Sequence, residues 1–368
     1  MPGTGMDHAA RRERAAARCR DAGVAALLLT PGPDLTYLSG YRIFSSERLT
    51  CLVLTRDGTA TLVVPELEAP RAAAAAPDLA RAAWTETADP YALVASLVTD
   101  AGALALSDQM WAAFALRLRD ALRDRELRLA SEITGDLRLR KDAAELAALR
   151  AVSAAADRAF VRALDLEFAG RPERAVGADL AALLRDEGHE EVSFVIVASG
   201  EHGASPHHQT GDRTIRTGDP VVLDFGGTRG GYGSDITRTV HVGQRPDPEV
   251  VRVHDVVWRA QEAGYAAAHA GATAESVDAA ARAVIAEAGF GDRFIHRLGH
   301  GIGLEGHEPP YLVSGNDERL APGMAFSIEP GVYLPGRFGV RIEDIAVLAE
   351  DGSLEALNRV DRGLATVR

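Results

Sequence analysis

A carboxylate set into an apolar strand is the first constraint this sequence imposes. The run Val221-Val-Leu-Asp-Phe225 reads as a buried strand, and Asp224 within it is followed by Gly226-Gly227, where another group can approach the backbone closely. Taken alone, Asp224 is as well explained by turn capping as by function. Eleven positions on comes Asp235, in Gly233-Ser-Asp-Ile-Thr-Arg-Thr-Val240, where the period-two alternation of a strand puts Asp235, Thr237 and Thr239 on one face. A glycine-rich turn between two short strands could bring the two carboxylates together. They would repel, and a divalent cation or a shared proton is the natural resolution.

The elements around these strands predict an α/β (α+β) chain in two parts. In the first, Arg11 to Asp21 is helix-like, and Val24-Ala-Ala-Leu-Leu-Leu29 is a buried strand ended by Pro31-Gly-Pro33. Thr50–Leu54 and Ala60–Val64 form a hairpin across Arg56-Asp-Gly58. Glu68 to Ala80 is helix by propensity, interrupted at Pro77. The pattern changes near Thr134-Gly135, which divides the chain into 1–134 and 135–368. From Lys141 a long helix follows, with Leu146, Leu149, Val152, Ala156 and Phe160 at helical spacing. Further helices are expected at Asp247–Ala270 and Thr273–Ala288, the second with Thr273 as N-cap and Gly289 as stop.

Composition narrows the class. With 46% hydrophobic and 25% charged residues the chain is a folded globular protein, and a net charge of −13 opposes binding to nucleic acid or anionic lipid. Cys19 and Cys51 are too few for a disulfide framework, and no apolar run reaches signal or membrane-spanning length, so a cytoplasmic address is expected.

Three histidines, His296, His300 and His307, fall within 12 residues of a glycine-rich segment, where small neighbours leave imidazole nitrogens reachable. Glu329 closes an apolar strand before Pro330-Gly331, and Glu343 shares a strand face with Arg341, which can orient a neighbouring carboxylate. Each glutamate alone is an ordinary strand-end charge. Together, four carboxylates and one histidine make an oxygen-dominated set suited to manganese, iron, cobalt or zinc in a dinuclear hydrolase.

Five segments resemble the metallopeptidases of pita-bread fold that include aminopeptidase P, prolidase and methionine aminopeptidase. They are Leu223-Asp-Phe-Gly226, Ser234-Asp-Ile-Thr-Arg-Thr239, Gly299-His-Gly-Ile-Gly303, Ser327-Ile-Glu-Pro-Gly331 and Val340-Arg-Ile-Glu-Asp344. The resemblance covers roughly Lys141 to the C-terminus. It implies two divalent ions, Mn2+ first with Co2+ or Zn2+ as alternatives. Asp224 would chelate one, His300 and Glu329 would hold the other, and Asp235 and Glu343 would bridge both. It further implies a bridging hydroxide as nucleophile, with Glu329 shuttling the proton. By the same resemblance His207 and His296 are pocket residues and His307 stabilises the tetrahedral intermediate, whereas His208 has no role.

The first part, with Asp34-Leu-Thr-Tyr-Leu-Ser-Gly40, looks like the accessory domain of the proline-specific branch. That implies a peptide substrate with proline in second position, its ring received by His296, His307 and Tyr333, and a homodimer as in many relatives. Length favours a bacterial Xaa-Pro dipeptidase, with Arg337 as one partner for the free carboxylate of a dipeptide. The alternatives are an Xaa-Pro aminopeptidase acting on longer peptides, a non-peptide amidase, and a metal-free binding module of the same fold.

Overall fold

The computed structural model describes residues 5–368. The chain divides into two compact units, the first ending at Arg138 and the second running Leu139–Arg368. The helix Ser131–Leu139 runs through 134/135, where the sequence pattern changes.

In the first unit a six-stranded mixed sheet has the order Ala80–Trp84, Ala60–Pro65, Cys51–Thr55, Val24–Leu29, Ala103–Leu106, Leu127–Leu129. Val24–Leu29 lies inside it, paired antiparallel on one side and parallel on the other, and all six of its residues are buried. That is why it reads as an unbroken apolar run. The expected hairpin forms, with Leu54 opposite Ala60 and Gly58 at φ 94°. The helix expected over Glu68–Ala80 is shorter: it spans Ala69–Ala75, and Ala80 already belongs to a strand. Pro77 ends it rather than interrupting it, because the residue before a proline is pushed out of the helical region; Ala76 sits at φ −130°, ψ 68°. A short helix, Pro33–Ser39, follows the first strand where the sequence suggested only a turn.

The second unit sets two helix pairs against curved sheets, the arrangement of the pita-bread fold. One sheet has the order Ala365–Val367, Tyr232–Val242, Pro220–Arg229, Glu191–Ser199, and the other Glu308–Leu312, Gly299–Gly301, Ala325–Ile328, Asp344–Leu348, Leu354–Ala356. A two-stranded ribbon, Gly331–Leu334 with Phe338–Arg341, completes the strands. Ala143–Ala163 begins at a capping box between Asp142 and Glu145, and it buries Ala156 and Phe160 in a cluster with Leu223, Phe225 and Ile236. Pro248–Ala267 and Ala274–Glu287 start from Asp247 and Thr273 caps and bury Val253, Val257, Ala281 and Ile285 with Phe326, Ile328 and Val340. Apolar burial on the helix side thus leaves the opposite sheet faces to carry polar groups.

Lys141, the one lysine in the sequence, lies just before the first of these helices. Its ammonium is 2.7 Å from Glu308, and both side chains are buried, the lysine only 1% exposed. A buried charge pair of this kind is costly to break from either side, by roughly 3–5 kcal/mol. Among the described residues no helix is long and apolar enough to cross a membrane.

Candidate metal centre

The two aspartates meet because their strands form a tight hairpin. Pro220–Arg229 and Tyr232–Val242 pair antiparallel, closed by Gly230-Gly231 at φ 61° and 86°, the positive values that a two-residue turn needs. The register sets Asp224 opposite Thr237 and Gly226 opposite Asp235, so the carboxylates share one face. Gly226 admits no side chain: a Cβ there would lie 2.1 Å from the Ser234 carbonyl oxygen and 2.9 Å from the Phe194 ring.

The other three groups arrive from the second sheet and the ribbon. His300 is in Gly299–Gly301, Glu329 directly follows Ala325–Ile328, and Glu343 follows Phe338–Arg341. The Glu343 backbone donates to Thr237 O at 3.0 Å, and Thr237 Oγ1 donates to Glu343 Oε2 at 2.7 Å, which fixes this carboxylate beside the aspartates. Nε2 of His300 lies 3.3 Å from Glu329 Oε1, 3.7 Å from Asp235 Oδ2 and 4.0 Å from Glu343 Oε1. Ser327 Oγ donates to Glu329 Oε1 at 3.0 Å and accepts from the His300 backbone at 2.9 Å, coupling two of the five groups.

These five side chains fit a pair of divalent cations. Carboxylate oxygens of Asp224, Asp235 and Glu343 lie within 4.8 Å of one another, as do ligand atoms of His300, Glu329 and Glu343, and those of Asp235, His300 and His307. Oδ1 of Asp224, Oδ1 of Asp235 and Oε1 of Glu343 are buried with no hydrogen-bond partner, a costly state for carboxylate oxygens that a cation relieves. His300 donates from Nδ1 to Gly301 O at 3.1 Å, which leaves the lone pair of Nε2 facing the carboxylates. Burial, and then the neighbouring carboxylates Asp224 and Glu329, push Asp235 well above the usual range. Burial and Asp235 do the same to Glu343. Glu329 is pushed up to about 7, chiefly by burial. Burial lowers His300 to about 3, which keeps it neutral and able to ligate.

Above this cluster opens a cavity of about 340 Å³ lined by Phe194, Ile196, Pro206, His207, His296, Arg297, His307 and Arg341 with the five ligand-type residues. His307 stacks on His300 with ring centroids 3.7 Å apart. His296 lines the wall, but both its nitrogens are engaged: Nδ1 with Arg297 O at 2.7 Å and Nε2 with Tyr333 Oη at 2.8 Å. Burial lowers it to about 3, so it presents to the cavity a neutral ring whose two nitrogens are already engaged. Tyr333 sits one layer behind, joining His296 to Nη1 of Arg341 at 2.9 Å. Arg341 pairs with Asp224 and donates from Nε to Thr237 Oγ1 at 3.1 Å.

Arg337 is elsewhere. It is on the surface, paired with Glu249, and does not line the cavity, because the turn between the ribbon strands carries it outward. The guanidinium that does line the cavity is Arg297. It stacks on Tyr311 at 4.4 Å and has no hydrogen-bond or ion-pair partner among the described residues. Sequence reasoning passed over it and over Phe194 and Ile196, although an arginine beside His296 in a glycine-rich segment was a usable signal. His208 points away from the cavity, toward Glu173, as expected of a residue with no role there.

Fold and site together define a metal-dependent hydrolase. The chain belongs to metallopeptidase family M24, which it matches over residues 147–350, and residues 11–140 match the creatinase/prolidase N-terminal domain. It is 49% identical over 356 residues to the probable dipeptidase PepE of Mycobacterium tuberculosis, covering 95% of this chain and 94% of that one. It is 35% identical to an Xaa-Pro dipeptidase of Lactobacillus delbrueckii subsp. lactis, covering 86% and 88%. The crystal structure of dipeptidase PepE from Mycobacterium ulcerans superposes with a TM-score of 0.91 at 46% identity, covering 99% of this chain and 98% of that one.

Proposed function

We propose that the chain is an Xaa-Pro dipeptidase whose centre is formed by Asp224, Asp235, His300, Glu329 and Glu343. Relatives named dipeptidase and Xaa-Pro dipeptidase along nearly the whole chain support the class. The observation that carries the preference for dipeptides is Arg297, an unpaired guanidinium on the wall of a small cavity. It is placed to receive the free carboxylate of a two-residue substrate, which a longer peptide lacks at that point.

Two divalent cations bound by the five side chains would supply the Lewis acidity that activates water and polarises the scissile carbonyl. The chain's own groups do the rest. Phe194, Ile196, Pro206 and the neutral ring of His296 form an apolar wall for the proline ring. His307 donates to the oxygen on which negative charge develops. Glu329, held by Ser327 Oγ at the edge of the cavity, takes a proton from water and returns it to the leaving nitrogen. Arg341 holds Asp224 and, through Tyr333, the orientation of His296.

Manganese as the working ion, a homodimer and a cytoplasmic address complete the reading. A carboxylate-rich set suits a hard cation, and the two buried free thiols, Cys19 and Cys51, suit a reducing compartment. Metal analysis and native mass measurement check the first two.

The test compares Ala-Pro with Ala-Pro-Ala in the presence of Mn2+. Ala-Pro is expected to be the better substrate, and preference for the tripeptide overturns the dipeptidase reading. Arg297→Ala should raise KM for Ala-Pro by about 10- to 100-fold, the loss of one charged hydrogen-bonding partner, with little change in kcat. Arg337→Ala should leave both constants unchanged.

A further inference from the structure

Away from the cavity, Glu173, His202 and His208 converge from three separate elements. Glu173 opens the helix Glu173–Asp186, His202 is in the short turn Gly200–Ala204, and His208 is in the loop after it. We propose that these three side chains form an additional cation site, selective for a borderline divalent ion such as Zn2+, Ni2+ or Cu2+. Its ligands are the Glu173 carboxylate, Nδ1 of His202 and Nε2 of His208.

The three ligand atoms all lie within 4.8 Å of one another. His202 Nδ1 is 3.1 Å from each Glu173 oxygen, and His208 Nε2 is 2.9 Å from Oε2. The two rings face each other at 4.3 Å, tilted by 34°. Among the described residues Glu173 is the only hydrogen-bond partner of either imidazole, so a cation between them breaks no other contact. One carboxylate and two neutral imidazoles, with a side open for water, is a ligand set that zinc accepts.

The carboxylate is held for this task. Glu173 is completely buried, and its Oε1 accepts from the Ser199 backbone at 2.8 Å and Ser199 Oγ at 2.7 Å, while Gly211 N approaches Oε2 at 3.4 Å. Burial works against its ionisation, but the hydrogen bonds from Ser199, His208 and His202 outweigh it and keep the carboxyl below its usual range. Arg213 donates to Ser199 Oγ at 2.8 Å and is already matched by Glu201 and Asp219, which lowers its opposition to a bound ion. His202 remains 35% exposed, giving an entry path, whereas His208 is mostly covered.

Two nitrogens and one oxygen make this site softer than the carboxylate-rich centre, so the two should rank metals differently. His208 also adjoins His207 of the cavity wall, so an ion here would pin the loop that carries His207.

The test is equilibrium dialysis of the chelator-stripped full chain against Zn2+, with metal analysis of the wild type and of the His202→Ala/His208→Ala variant. The variant should bind one equivalent fewer at saturation. The readout is this difference, so it stands whatever the occupancy of the main centre. Equal stoichiometry overturns the proposal and leaves Glu173 as a hydrogen-bonded latch for two histidines. Should the double variant misfold, Cu2+ titration of the wild type followed by electron paramagnetic resonance decides. A species with two coordinated nitrogens, weakened at least tenfold in affinity by His208→Gln alone, is expected. Its absence up to saturation overturns the site, and so does a two-nitrogen species that His208→Gln leaves unchanged, which would place the copper at His300 and His307 instead.

Discussion

Replacing Glu343 with glutamine is expected to lower kcat/KM by roughly a thousandfold or more while making the metal-free protein more stable. The loss of activity follows from removing a charged oxygen that both groups of ligand-type side chains share. The gain in stability follows from burial. Glu343 lies in one buried cluster with Asp235, Glu329 and Asp224, and one of its oxygens has no hydrogen-bond partner. A neutral amide of the same shape can still accept from Thr237 Oγ1 and removes one member of the repelling set. Steady-state assays with Ala-Pro and thermal unfolding in chelator measure the two effects. A variant that is fully active with its metal complement intact contradicts the proposed centre. A variant whose metal-free form is less stable than the wild type contradicts the electrostatic account of it.

The second large effect is on stability as a function of pH. Asp235, Glu329 and Glu343 have folded-state pKa values raised above their unfolded ones. Between the two values the folded chain binds more protons than the unfolded chain, so stability falls as pH rises through the folded values. For Glu329 that window ends near 7. His296 and His300 act with the opposite sign. Their folded values are lowered to about 3, so the stability they contribute is present above the unfolded value of about 6.5 and is lost below it. Above about pH 6.5 the histidines are neutral in both states and the carboxylates act alone, so the metal-free protein should lose stability, read as a falling Tm, as pH rises from 6.5 toward 8.5. A saturating divalent cation at 100 times its Kd adds about 2.7 kcal/mol per site. The addition should grow toward the alkaline end, where the carboxylates carry more charge. Calorimetry with and without chelator from pH 5.5 to 8.5 tests this, and a metal response independent of pH would refute it.

How far the site could be read from sequence depended on whether a residue's neighbours were local. Asp224 and Asp235 were legible as a pair because one two-residue glycine turn sets their register, and a strand's period of two places Thr237 beside them. Thr273 and Gly289 bounded their helix correctly for the same reason: caps act within a single turn. The apolar wall was not legible. Phe194 and Ile196 belong to Glu191–Ser199, an apolar run that does not by itself say which of its faces meets the carboxylates, because its position is set by pairing with Pro220–Arg229. Arginines were the hardest to place. Arg337 and Arg297 both flank motif residues, and only the direction of the chain at each point sends one outward to Glu249 and the other to the cavity. His296 lines the cavity, but the hydrogen bonds that occupy both its nitrogens involve Tyr333, 37 positions away, which no local pattern reveals.

The buried pair of Lys141 and Glu308 has a practical consequence for amine chemistry. Because the sequence contains no other lysine, the folded surface offers no ε-amino group to acylating reagents or to lysine-directed cross-linkers. Acylation at position 141 then requires that the helix start be pried from its strand partner. The extent of modification at that one residue becomes a direct count of molecules whose second unit has opened.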